Sequence, residues 1–167
     1  MRKAVRTLLF VALAVSVVST TRSNAQDRHS NGAHAVFVMT NAVGRNEVIS
    51  FQRAADGSLQ EGQTFATGGR GTGGVTDPLE SQGSLTLSQD HSFLFAVNGG
   101  SGEISVFFVN GSKLLLVDKA VSGGAEPNAV AQHGNLVYVL NVVGSSNVAD
   151  SRSKQNSSFV SSVQTRP

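Results

Sequence analysis

Residues 81–117, SQGSLTLSQDHSFLFAVNGGSGEISVFFVNGSKLLLV, leave little freedom in how this chain can fold. The stretch divides into four segments of strand length separated by turn residues. Residues 83–88 alternate apolar and polar side chains, the period of an extended chain with one buried face. Gln89-Asp90-His91 turns the chain, and 93–97 is a continuous apolar run. Asn98-Gly99-Gly100-Ser101-Gly102 tolerates positive φ at little cost, which marks a hairpin into the alternating segment 104–109. Asn110-Gly111 turns once more, into the apolar segment 114–117. Four antiparallel strands in about 40 residues is the size of one blade of a β-propeller.

The same design recurs on both sides. Residues 36–51 (VFVMTNAVGRNEVISF), 94–107 (LFAVNGGSGEISVF) and 137–149 (VYVLNVVGSSNVA) each run from an apolar strand through asparagine and a glycine-containing turn to an alternating strand. Aligned on Asn41, Asn98 and Asn141, the units lie 57 and 43 residues apart. The second spacing is a normal blade period. The first is lengthened by residues 67–81, TGGRGTGGVTDPLES, whose five glycines and one proline exclude a helix or a central strand and predict a long loop. Shorter turns are expected at 55–58, 123–128 and 133–135. The expected fold is all-β: a partial propeller of about two four-stranded antiparallel blades and part of another. The first unit begins at Ala35 without an innermost strand of its own. Unpaired strand edges and an uncovered apolar face would then favour association.

The two ends differ from this body. Arg2, Lys3 and Arg6 precede the apolar residues 8–18, and Ser23-Asn24-Ala25 offers a cleavage site, so 1–25 is expected to be a signal peptide whose helix precedes the strands. Its apolar core of 11 residues is shorter than the ~20 that span a bilayer, which predicts export to a periplasm or medium and no stable membrane span. Residues 26–34 are polar and expected to be flexible, 35–149 hold the blades, and after Ala149 the alternation stops. The serine-rich residues 150–167 are expected to be either a disordered tail or the product of a shifted reading frame. Outside 1–25 and 150–167 the body carries six basic against ten acidic side chains, which excludes a nucleic-acid footprint. The chain has no cysteine, so thiol chemistry and thiolate metal sites are excluded.

Three motifs carry a family resemblance: NEVISFQRAADGSLQ (46–60), SQGSLTLSQDHSFLFAVNGGSGEISVF (81–107) and PNAVAQHGNLVYVLN (127–141). Over about residues 35–149 the chain resembles the lactonase family of seven-bladed β-propellers, the 6-phosphogluconolactonase type also described as carboxymuconate-cyclase-like. The resemblance implies a parent propeller that hydrolyses a sugar-acid lactone. It also implies a channel site built from several blades, so that two blades alone would be inactive. A non-catalytic periplasmic or surface propeller that binds a ligand or a protein is the alternative.

Lactone hydrolysis needs a base to activate water, and donors or a cation for the developing oxyanion. In a propeller, the loops that lead into each innermost strand face the central channel; here these are 68–82 and 122–128. Glu80 and Glu126 are the candidate bases. Arg70, set among glycines, is the candidate anion binder, with Ser81, Gln82 and Asn128 as further substrate contacts. The glycine-rich segment lacks the Gly-Lys-Ser/Thr ending of a phosphate loop and no helix follows it, so no nucleotide cofactor is expected. His29, His34, His91 and His133 have no ligand spacing, and no metal is expected. Asn41, Asn98 and Asn141, at strand ends, are expected to cap turns.

Overall fold

The structure, a computed structural model, describes residues 34–74, 81–144, 147–152 and 163–166, and every regular element among them is a β-strand. The expected signal helix lies outside these residues. Strands β1 (His34–Met39), β2 (Glu47–Arg53) and β3 (Leu59–Ala66) form one sheet. Strands β4 (Leu85–Leu87), β5 (Phe93–Asn98), β6 (Glu103–Asn110) and β7 (Lys113–Val121) form a second. Strands β8 (Ala125–His133), β9 (Leu136–Val143), β10 (Asn147–Arg152) and β11 (Val163–Arg166) form a third. All neighbours pair antiparallel in chain order. The expected partial propeller is therefore present as two four-stranded sheets and one three-stranded sheet. In the three-stranded sheet the described residues hold no counterpart of β4.

Burial explains why β5 reads as an unbroken apolar run. Phe95 and Val97 on one face join Ile104, Val106, Val130, Val137 and Val139 in a core between the second and third sheets. Leu94 and Ala96, on the other face, join Val48, Phe107 and Leu114 in a core against the first sheet, with Phe37, Phe65 and Leu85 at its margin. A strand covered on both faces has no solvent side and needs no alternation. Each of these larger side chains contributes about 1.5–3 kcal/mol by leaving water. The second sheet is the middle layer on which the other two are built.

The turns form where their chemistry was expected. In the β2–β3 turn Gly57 takes φ 88°, and Asp56 Oδ1 accepts hydrogen bonds from Ser58 N (2.9 Å) and Ser58 Oγ (2.7 Å). In the β4–β5 turn Asp90 Oδ1 accepts from Ser88 Oγ (2.6 Å) and Ser92 N (3.1 Å). These bonds hold both carboxyls below the ordinary aspartate value.

Two expectations are corrected, and one sheet runs on past the expected body. The repeat aligns one residue earlier in the first unit: Met39 faces Val48 and Thr40 N donates to Glu47 O (2.9 Å), while Val97 faces Ile104 and Asn98 faces Glu103. Thr40, rather than Asn41, is thus the counterpart of Asn98 and Asn141. The turn 41–46 is two residues longer than 99–102, and Asn41 is taken up in it. By the same register Phe51 and Phe107 correspond to Ser151. Second, β8 begins at Ala125, inside the expected loop 123–128, and continues through a register shift between Pro127 and Ala129. A proline can enter here because β8 lies at the edge of its sheet and the shift relieves the ladder of its missing N–H. Pairing also continues past Ala149, where Asp150, Ser151 and Arg152 face Tyr138, Val137 and Leu136 and β11 pairs along β10; residues 153–162 and 167 of the tail lie outside the described residues. Ladder hydrogen bonds use the backbone alone, so a serine-rich sequence can extend them.

Candidate functional site

A hydroxyl residue followed by two glycines leads from each sheet to the next: Thr67-Gly68-Gly69 after β3 and Ser122-Gly123-Gly124 after β7. Gly68 and Gly123 take φ 77° and 78°, a conformation that favours glycine. Gly124 packs so closely that an added Cβ would lie 2.6 Å from Asn141 Cγ, and a Cβ on Gly69 would overlap the Asn98 side chain. Asn98 is fully buried. Its Oδ1 accepts hydrogen bonds from Asn46 Nδ2 (3.0 Å) and Thr67 Oγ1 (2.7 Å). Its Nδ2 donates to Ser105 Oγ (2.8 Å), which donates to the Thr67 carbonyl (2.8 Å). At the next junction Asn141 Nδ2 donates to the Ser122 carbonyl (3.1 Å). These asparagines therefore do more than cap their own turns: they join neighbouring sheets.

The glycine-rich segment is pinned on both sides across 70–73. Gly71 N and Gly73 N donate to the carbonyls of Ala42 and Asn41 (both 2.9 Å). Thr72 N donates to Asn41 Oδ1 (3.0 Å), and Asn41 Nδ2 donates to Thr72 Oγ1 (2.9 Å). Toward the second sheet, Gly100 N donates to the Arg70 carbonyl and Arg70 N to Ser101 Oγ (both 3.0 Å). Residues 70–73 are thus a strap held between the turn after β1 and the turn after β5. Gly71 and Gly100 permit the approach, since a side chain on either would overlap the facing backbone.

Beside this strap is a shallow cleft, open to solvent and with only about 20 Å³ of interior space, to which all three sheets contribute. Met39, Asn41 and Thr72 line it from the first sheet and the strap; Ser81, Ser84, Val97 and Gly99 from the second; Glu126, Pro127 and Asn128 from the third. Of the residues singled out in the sequence, the cleft brings together Ser81, Glu126 and Asn128. Gln82 and Arg70 are exposed and are not among its lining residues. Glu80 lies outside the described residues. Asn41, Thr72 and Ser84 line the cleft but were not expected to. The recurrence of Thr67-Gly68-Gly69 as Ser122-Gly123-Gly124 is a signal in the sequence that could have marked a built junction here.

Local geometry concentrates at this cleft. Asn41 and Glu126 take φ 52° and 53°, two of the three non-glycine residues at positive φ among those described. The third, His91, belongs to the β4–β5 turn. Such a backbone is costly for a side chain as large as glutamate and is held only where its surroundings require it. The register shift that follows leaves Asn128 as the extra residue of a bulge, a device that re-aims side chains. The Ser81 hydroxyl donates to the Asn128 carbonyl (2.5 Å), tying the start of the second sheet to the third. A serine whose proton is held by a backbone carbonyl is not an activated nucleophile; it retains lone pairs to accept a ligand hydroxyl.

Charges are sparse. Glu126 is the one ionisable group among the lining residues. Arg45 pairs with Glu47 (Nη2–Oε1 2.5 Å), and Lys119 pairs with Glu103 (Nζ–Oε1 2.8 Å). Burial raises the Glu103 pKa, but hydrogen bonds from Lys119 and Ser101 and the positive charges of Lys119 and Arg70 outweigh it, so the carboxyl sits below its ordinary value. Among the described residues no group of three or more His, Asp or Glu could hold a metal ion. No helix among them is long and apolar enough to cross a membrane.

Comparison with known proteins agrees with this architecture. The profile of the family described as lactonase, 7-bladed beta-propeller, matches residues 20–166. Among solved structures, a functionally unknown protein from Desulfotomaculum acetoxidans is 23% identical, with a TM-score of 0.57 over 78% of this chain and 40% of its own. The periplasmic gluconolactonase of Pseudomonas aeruginosa is 21% identical, with a TM-score of 0.57 over 80% of this chain and 40% of its own. A proposed 6-phosphogluconolactonase from Bacteroides uniformis is 15% identical, with a TM-score of 0.50 over 71% and 33%. At these identities the likeness is one of fold, and the chain spans 40% or less of the length of these three proteins. No curated protein matches the sequence. Repeated sheets, their shared junctions and a profile that runs through nearly all of them lead to one assignment: the chain belongs to the lactonase family of seven-bladed β-propellers.

Proposed function

We propose that the propeller carrying these sheets hydrolyses a sugar-acid lactone in the cleft between them, with Glu126 as the base that activates water. The observation that carries this reading is the convergence of three sheets on a cleft whose single ionisable group, Glu126, is held at φ 53°. Glu126 would take a proton from water as its oxygen attacks the lactone carbonyl. The oxyanion so formed would collapse as the bond from the carbonyl carbon to the ring oxygen breaks, and the ring oxygen would take the proton held by Glu126 to leave as a hydroxyl. The Asn128 carboxamide would donate to the oxyanion. Asn41, whose carboxamide is engaged with Thr72 through both its oxygen and its nitrogen, serves as a wall. Glu80 would be a second carboxylate on the loop leading to Ser81.

A channel site draws on loops from several blades, so the three sheets alone are proposed to be inactive. The segment 1–25 is proposed to direct export, in keeping with the periplasmic location of the similar Pseudomonas aeruginosa protein. The test is an assay of lactone opening by a full-length propeller that carries this sequence, as wild type and as Glu126→Gln. A fall in kcat of about 100-fold or more in the variant supports the assignment. Turnover unchanged in Glu126→Gln removes Glu126 as the base. No turnover by the wild type, with a lactone analogue still bound, favours a binding propeller instead.

A further inference from the structure

We infer that a second pocket, at the ends of β5 and β8 opposite to the cleft, binds a small organic ammonium ion. Its interior space is about 290 Å³, against about 20 Å³ in the cleft. That is close to the ~300 Å³ at which small-molecule sites begin. The β4–β5 turn supplies one wall with Ser88, Gln89 and Asp90, and Gln132 with Gly134 supplies the other. Phe93 and Phe95 of β5 add two aromatic rings. No lining residue is shared with the cleft, so the inference stands apart from the lactone reading.

The two walls are tied together. Gln89 N donates to Gln132 Oε1 (3.1 Å), and Gln132 Nε2 donates to the Gly134 carbonyl. Ser88 is buried; its hydroxyl accepts from Phe93 N (2.9 Å) and donates to Asp90 Oδ1 (2.6 Å). Phe93 packs at the margin of the core between the second and third sheets, and its ring meets Phe108 edge-on (centroids 6.0 Å apart, planes at 69°). Walls held in this way are formed before a ligand arrives, which lowers the cost of binding.

Asp90 carries the one formal charge of the lining, which holds no lysine, arginine or histidine. Its Oδ1 takes the hydrogen bonds from Ser88 Oγ and Ser92 N, and both favour the carboxylate form. Oδ2 remains for a ligand. Asp90 is exposed, so water screens its attraction and charge alone would hold no ion. The aromatic wall supplies the rest. Phe95 is fully buried, so the half-buried Phe93 is the ring a ligand meets. An alkylammonium ion sets its methyl groups against that ring, whose π electrons attract the charge, while the carboxylate faces the same cation. An anion would meet a carboxylate with no cation beside it. A neutral apolar molecule would use the ring and leave the carboxylate unmatched.

The test titrates the chain itself, by ligand-observed NMR, with choline and with 3,3-dimethyl-1-butanol, which has the same shape and no charge. Choline is expected to bind about tenfold tighter than the alcohol. Asp90→Asn keeps an acceptor for Ser88 and Ser92 and should bring the two probes level. Gln89→Lys, an exposed change on the same wall, should weaken choline about tenfold and leave the alcohol unchanged. Circular dichroism checks the fold of both variants, and either one suffices where the other unfolds. Equal binding of the two probes by the wild type overturns the inference, as does binding of neither. A preference for choline that survives in a folded variant overturns it too.

Discussion

Asn46 and Asn98, 52 residues apart in sequence, meet through a 3.0 Å hydrogen bond from Asn46 Nδ2 to Asn98 Oδ1, and both side chains are fully buried. Asn46 Nδ2 also donates to the Val97 carbonyl (2.9 Å), and Asn46 Oδ1 accepts from Asn41 N (3.0 Å). Removing Asn98 leaves Thr67, Ser105 and Asn46 with buried groups that have lost a partner. Asn98→Ala is therefore expected to destabilise the chain by about 3 kcal/mol in urea denaturation. Asn98→Asp is expected to cost at least as much, because it buries a charge and turns a donor into an acceptor. A loss below about 1 kcal/mol in both would show that the network is dispensable.

Close packing at the hydroxyl–Gly–Gly junction separates two kinds of glycine. Gly124→Ala places a Cβ 2.6 Å from Asn141 Cγ and is expected to cost about 2–3 kcal/mol. Gly134, in the β8–β9 turn at φ 57°, has nothing within 4 Å of an added Cβ, so Gly134→Ala is expected to cost only the backbone preference, about 1 kcal/mol. Thermal melts of the two variants check the order; a reversed order contradicts the packing at the junction.

The backbone at Glu126 couples stability against activity. Glycine at this position relieves a left-handed conformation worth about 1–2 kcal/mol and restores part of that as chain entropy. Glu126→Gly is expected to raise stability by about 0.5 kcal/mol while abolishing lactone opening in the full-length propeller. A variant that is less stable than wild type would show that Glu126 is held for its contacts rather than against its backbone preference.

The Glu103 carboxyl lies below its ordinary value of 4.5 because it is better stabilised as an anion in the fold than in the unfolded chain. The resulting stability is complete above that ordinary value and is lost as pH falls from it through the lower folded-state value. Melting temperature followed from neutral to acid pH should fall across that window, and Glu103→Gln should flatten this part of the profile. An unchanged acid limb in the variant would assign the pH dependence to Asp56 and Asp90, whose carboxyls are lowered by their serine neighbours.

Sequence alone was sufficient for β1 to β7 and β9 and for the antiparallel pairing of the central sheet, but not for the start of β8 or for β11. Alternation at 104–109, the apolar run at 93–97 and the glycine turns at 57, 111 and 134 are local signals, and each acts within a few residues of the place it determines. The cleft was only partly visible. Ser81, Glu126 and Asn128 were found because they sit on segments leading into innermost strands, whereas Asn41 and Thr72 read as ordinary turn and loop residues. Their pairing spans 31 residues and exists only once the strap has been laid between two sheets. The alignment on Asn41 failed for the same reason: register is set by ladder hydrogen bonds across a turn whose length the asparagine spacing does not report. What the chain determined by itself was the repeat, because strand and turn preferences are local. What tertiary structure decided was which side chains share a cleft and which charges are already paired, because both depend on the packing of one sheet against the next.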